Sequence, residues 1–216
     1  MAIKKRPVSP RQKMINLMYV VLMAMLALNV STEVLDGFSI VEDSLNRTTA
    51  NSSAENNAIY SDFADQMKQN PTKVREWFEK AKQVKDMSDA LYNFAQELKV
   101  AIVKEADGKN GDVSNIKNKE NLEAAGIVML APGTGKGKKL YRELNRYRER
   151  ILELVTDEHQ KKIIASNFST QVPKSEKYLG KNWQEYMFEN MPVAAAVTML
   201  SKIQSDVRYA EGEVLH

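Results

Sequence analysis

Apolar positions recur at helical spacing along most of this chain, and the first of them fall in a charge-free, mostly apolar run, MINLMYVVLMAMLALNV, over residues 14–30. These seventeen residues carry no charge. At about 1.5 Å each they span roughly 26 Å, slightly less than a bilayer interior. Ser9 and Pro10 stand just before the run; serine is a good helix cap and proline is favoured in the first turn, so a helix is predicted to start at Pro10. Arg11 and Lys13 then lie inside the helix, where their aliphatic stems reach the headgroups and make up the missing length. Steps of three and four residues from Arg11 lead through Ile15, Met18, Leu22, Met25 and Asn29. That stripe has a cation at one end and an amide at the other, and it is expected to face a partner.

Beyond the run, Val34, Phe38, Val41 and Leu45 continue a helical stripe, which Ile59, Phe63 and Met67 resume after the polar stretch NRTTANSSAENN. Residues 46–57 read equally as a loop or as a solvated length of helix. Pro71 closes this element, and Thr72 is the expected cap of a second helix. Its core stripe is Val74, Trp77, Ala81, Val84, Leu91, Ala95, Leu98 and Ile102, with Ser88 the one skipped step. Residues 107–138 hold six of the nine glycines together with Pro132 and form the longest predicted irregular region. A third helix sets Leu140, Leu144, Tyr147, Ile151 and Leu154 on one face, and a loop with Pro173 and Gly180 follows. The last element carries Val193, Ala196, Leu200, Ile203, Val207, Ala210 and Val214 at alternating threes and fours. This is a seam for packing in a bundle or against a second copy, and it reaches the final residue without a stop signal, as expected of a fragment of a longer protein.

Few helix breakers and no regularly spaced strand-length runs make the expected fold class all-α, with the apolar helix as an N-terminal transmembrane segment and a helical bundle after it. Charge then orients the chain. The formal net charge is +3, yet Lys4, Lys5, Arg6, Arg11 and Lys13 supply five positive charges before any acidic residue, leaving the remainder at −2. A phosphate-binding surface needs its basic excess on the folded part, so nucleic acid is an unsuited partner. Five cations precede the apolar run, and Glu33, Asp36, Glu42 and Asp43 follow it. The positive-inside rule places the N-terminus in the cytoplasm and the bulk of the chain in the periplasm. The expected organisation is a cytoplasmic basic N-terminus at 1–13, a transmembrane helix at 14–32 and a periplasmic bundle at 33–216. A cleaved signal peptide shares the basic and apolar parts, but the run is longer than the usual apolar region of about 7–15 residues and lacks a clear cleavage site.

Candidate chemistry is sparse. There is no cysteine, which removes thiolate metal sites and cysteine nucleophiles, and His159 and His216 have no metal-ligand spacing. Residues 131–137, APGTGKG, suggest a nucleotide-binding loop, yet aligning Gly135-Lys136 with the motif puts Leu130 at its first glycine and Gly137 at its Mg²⁺-binding hydroxyl. A flexible turn leading into the third helix is the expectation. No catalytic constellation, cofactor or metal site emerges, so the chain is expected not to be an enzyme. Arg11 has two readings: one more topology anchor, or half of an ion pair at membrane depth, where a lone charge is costly and calls for an acidic partner.

The stretch SPRQKMINLMYVVLMAMLALNVSTEVLDGF, residues 9–38, resembles the N-terminus of the GldM/PorM family of type IX protein secretion and gliding motility. NMPVAAAVTMLSKIQSDVRYAEGEVL, residues 190–215, is similar to the helix that closes the first periplasmic domain in that family. The resemblance implies a motor subunit driven by the proton-motive force. It further implies a homodimer whose transmembrane helices sit inside a ring of a polytopic inner-membrane partner of the GldL/PorL type, with a periplasmic part reaching towards outer-membrane secretion components. It puts the family's arginine on Arg11, facing a membrane-embedded glutamate of the partner. The rival readings are a passive membrane-anchored periplasmic adaptor and a sensory helical-bundle module.

Overall fold

The computed structural model describes residues 8–28 and 30–216, and of residues 24–28 the backbone alone. Helix α1 (Pro10–Leu28) starts where the sequence predicts. The amide of Gln12 donates to Ser9 Oγ (3.3 Å) and that of Lys13 to Ser9 O (3.0 Å), which meets two of the donors a helix start leaves open. Every side chain described in α1 is exposed.

The predicted 14–32 segment does not stay in one helix. Ser31 caps α2 (Thr32–Gln69) by accepting from the amide of Val34 at 3.3 Å, so Ser31 and Thr32, the last residues of the predicted 14–32 segment, belong to the next element. The uncharged part of α1 is residues 14–28, roughly 22 Å against about 30 Å of hydrocarbon. Among the described residues no helix is long and apolar enough to cross a membrane.

The polar stretch at residues 46–57 is helical throughout, which makes α2 a single helix of 38 residues, roughly 57 Å long. It turns at Asn70 into α3 (Pro71–Asp107). Pro71 occupies the first helical position, where its missing N–H costs nothing, and Thr72, the expected cap, lies inside the first turn. The two helices run antiparallel: Glu42 reaches Lys99 near the open end of the hairpin, and Lys85 lies over the Tyr60 ring nearer the turn.

Four short helices follow: α4 (Ala124–Leu130), within the glycine-rich region predicted to be irregular, α5 (Gly137–Leu154), α6 (Glu158–Asn167) and α7 (Trp183–Phe188), with a 3-10 turn at Glu176–Tyr178. The final helix, α8 (Val193–Leu215), lies along the hairpin, parallel to α2 and antiparallel to α3: Thr198 meets Phe38, Glu211 meets Asn56, and Ser201 meets Lys99. Among the described residues there is no strand, and the fold is all-helical.

The seam predicted in α8 packs into the core: Val193, Ala196, Leu200, Ile203, Val207 and Ala210 are buried, and Val214 is partly so. It meets Val84, Leu91, Leu98 and Ile102 of α3 and Leu140, Leu144, Tyr147 and Ile151 of α5 in one apolar cluster. Leu154, predicted on the same face of α5, is half-buried. Trp77 departs from its predicted core place: it is 61% exposed near the hairpin turn, with Lys80 over its ring at 5.0 Å. Val34 and Val41 are also exposed. The buried residues of α2 are Leu35, Thr49 and Asn56, so the inward face contains polar residues that an apolar pattern does not register.

Candidate functional site

Two regions carry charge in unusual surroundings. In α1, Arg11 sits in the first turn and Ile15, Met18 and Leu22 are exposed with Leu17, Tyr19 and Val21 in one apolar surface. Asn29 lies outside the described residues, as does the side chain of Met25. The exposed apolar side chains run all round the helix, among them Met14, Leu17, Met18, Val20, Val21 and Met23. A helix of this kind, uncovered by its own chain, calls for lipid or partner helices around it.

The second region is the interface of α2 with α3 and α8, where buried polar side chains form two clusters. In the first, Lys99, 3% exposed, donates to Glu42 Oε1 (3.1 Å), Ser201 Oγ (2.5 Å) and Gln204 Oε1 (3.2 Å), which uses all three ammonium hydrogens. Ser201 in turn donates to Glu42 Oε1 (2.7 Å), and the Gln204 amide donates to Tyr92 O and Gln96 Oε1. The other carboxylate oxygen of Glu42 is buried without a partner.

About two helical turns further along α8, Glu211, 1% exposed, accepts from three groups: Tyr60 Oη (2.7 Å), Asn56 Nδ2 (3.2 Å) and Arg208 Nη1 (2.8 Å). Arg208 also pairs with Asp89 at 2.8 Å and lies 4.4 Å from the Tyr92 ring centre. Burial, which opposes the charge of Arg208, is outweighed by Glu211 and Asp89, and its pKa is held above the usual arginine value. Burial and then the neighbouring Glu211 carboxylate push the Tyr60 hydroxyl well up, so Tyr60 remains a donor at any physiological pH. Gly212 sits beside this cluster, and a Cβ there would lie 2.9 Å from Asn56 Oδ1.

A third polar contact holds α3, α5 and α8 together. Ser88, the skipped step of the α3 stripe, is fully buried with its Oγ 2.9 Å from Tyr147 Oη, and Tyr147 donates to Val207 O at 3.3 Å. Burial raises the Tyr147 hydroxyl far above its ordinary pKa, against a smaller opposing effect of Ser88.

None of these clusters follows from the apolar pattern. One signal was available: Leu35, Glu42, Thr49, Asn56 and Phe63 are spaced by seven, so the polar members share one side of α2 with apolar ones.

The glycine-lysine loop has a structural role. Gly137 opens α5 so close to its surroundings that a Cβ would lie 2.7 Å from Met129 O and 2.8 Å from Gln184 Cβ. The Lys136 amide donates to Val128 O and the Gly135 amide to Ala131 O. These donors are used to join α4 to α5, and a phosphate cradle would need them free. Among the described residues no group of three or more His, Cys, Asp or Glu side chains is placed to hold a metal ion.

No curated protein matches this chain. The family defined as the GldM N-terminal domain matches residues 33–216, a span that takes in both buried polar clusters and the whole apolar core. The polar seam and the helix that precedes it are thus features of a chain that belongs to the GldM family of the gliding-motility and type IX secretion machinery.

Proposed function

We propose that this chain is an inner-membrane motor subunit of type IX secretion and gliding, driven by the proton-motive force and without catalytic chemistry of its own. Its α1 anchors it as a single membrane crossing, with the N-terminus cytoplasmic and the bundle periplasmic. Two copies place their α1 helices within a ring of a GldL/PorL-type polytopic protein, and the bundle carries motion towards outer-membrane secretion components.

One observation carries this reading: the family match begins at residue 33, directly after an all-round apolar helix that has a cation in its first turn. The cations also address the short span. If Arg11 and Lys13 snorkel, residues 11–28 lie in or at the acyl region and add roughly 4–5 Å to the uncharged length. Arg11 pairs with a membrane-embedded glutamate of the ring; protonation of that glutamate weakens the pairing and lets ring and dimer step past each other.

Replacing Arg11 tests this. Arg11→Ala should abolish secretion or gliding while the two proteins still co-purify in unequal numbers, as a ring around a dimer requires. Normal secretion in that variant would overturn the pairing.

A further inference from the structure

We propose that α2 is a releasable strut: the bundle holds it through a polar seam, and it leaves and returns as one unit while the α3–α8 body stays folded. Its use in relaying motion rests on the function proposed above, whereas its separability rests on the interface alone.

The core divides unequally among the long helices. The apolar cluster draws on α3, α4, α5, α6, α7 and α8, and among the described residues α2 contributes no member to it. Only three of the 38 residues of α2 are buried, and two of those, Thr49 and Asn56, are polar. The contacts of α2 that reach deepest are those of Glu42 to Lys99 and Ser201, and those of Asn56 and Tyr60 to Glu211. Separating apolar surfaces brings water against groups that gain nothing from it, but separating these side chains exchanges protein partners for water. Opening also returns to Lys99 and Glu211 the hydration that burial removed, and it solvates the partnerless oxygen of Glu42. The seam therefore makes detachment of α2 less unfavourable than detachment of α3 or α8, whose side chains line the apolar cluster.

The same pairs define the position to which α2 returns. A slide of one heptad that set Phe63 where Asn56 stands and Met67 where Tyr60 stands would leave the Glu211 carboxylate without both of its donors from α2. Gly212, with no room for a Cβ beside Asn56, demands full seating at that point. A strut with these properties has a docked state of single register and an undocked state in which the body is intact. Because α2 starts at Thr32, immediately after the helix assigned to the membrane, it is the element that a moving α1 would pull first.

Hydrogen exchange on the full chain in detergent tests separability directly. Amides of residues 32–69 should exchange as a cooperative block, at least about ten-fold less protected than the buried stretches of α3, α5 and α8. Equal protection of α2 and α8 would overturn the proposal. The cysteine-free chain also permits a clean staple: Asn56→Cys with Gly212→Cys, oxidised, should raise protection along α2 to that of α8, and reduction should restore the difference. A staple that leaves α2 exchange unchanged would also overturn it. Stapled chains that secrete normally would remove release from the transmission step while leaving the Arg11 prediction standing.

Discussion

Lys99 shows how much of this fold rests on single polar side chains whose meaning depends on what surrounds them. Removing it leaves Glu42 and Gln204 facing an unfilled site, so Lys99→Ala should destabilise the chain by about 3–5 kcal/mol in urea titration. The paired replacement Lys99→Met with Glu42→Leu should recover most of that loss, because the interior then holds no lone charge. Gly212→Ala should cost about 1–3 kcal/mol, since its methyl group meets Asn56 and neither helix can move aside without disturbing Glu211. Neither residue announces itself in the sequence. A lysine in an amphipathic helix reads as solvated, and the apolar spacing of α8 passes through Gly212 without marking it.

Among the elements, α8 and α2 illustrate opposite outcomes. The spacing of α8 predicts six buried seam residues and a seventh, Val214, that is partly buried, because apolar contacts with α3 and α5 occupy that face and burial follows hydrophobicity. The stripe predicted in α2 runs through Val34 and Val41, but these are exposed and the helix instead turns Leu35, Thr49 and Asn56 inward. Periodicity in α3 fails only towards the hairpin turn, where Trp77 lies outside the core. Thermal unfolding should reflect the difference: Trp77→Gln is expected within about 0.5 kcal/mol of the parent, and Leu98→Ala, in the buried cluster, should cost about 2–5 kcal/mol.

For the molecule as a whole, the glycine-rich connection after α3 adds a dependence on pH. The Asp107 carboxylate accepts from the amides of Lys117 and Asn118 and from the Asn118 side chain. Burial acts to raise its pKa, but these hydrogen bonds together outweigh it, and the folded value lies below the usual aspartate range. A depressed folded pKa gives stability that is complete above the unfolded value and is lost as pH falls through the folded one. The urea midpoint of the parent should therefore exceed that of Asp107→Asn at neutral pH, and the gap should close in acid, as pH falls below the ordinary aspartate pKa of about 3.9. A gap that persists undiminished in acid would show that the carboxylate charge is not what organises the loop.

The sequence by itself determined the helical class, the start of α1 at Ser9-Pro10, the end of α2 before Pro71, the apolar seam of α8 and the family resemblance. Each of these depends on neighbours in the chain, through capping, proline geometry or periodic hydrophobicity, and such effects are written locally. The tertiary structure decided that residues 46–57 are helix and that Glu42, Lys99 and Ser201 meet across three helices. Those outcomes come from pairings between residues more than fifty positions apart. A polar side chain in one helix has no fixed inward or outward preference until a partner in another helix supplies the hydrogen bonds that water would otherwise provide.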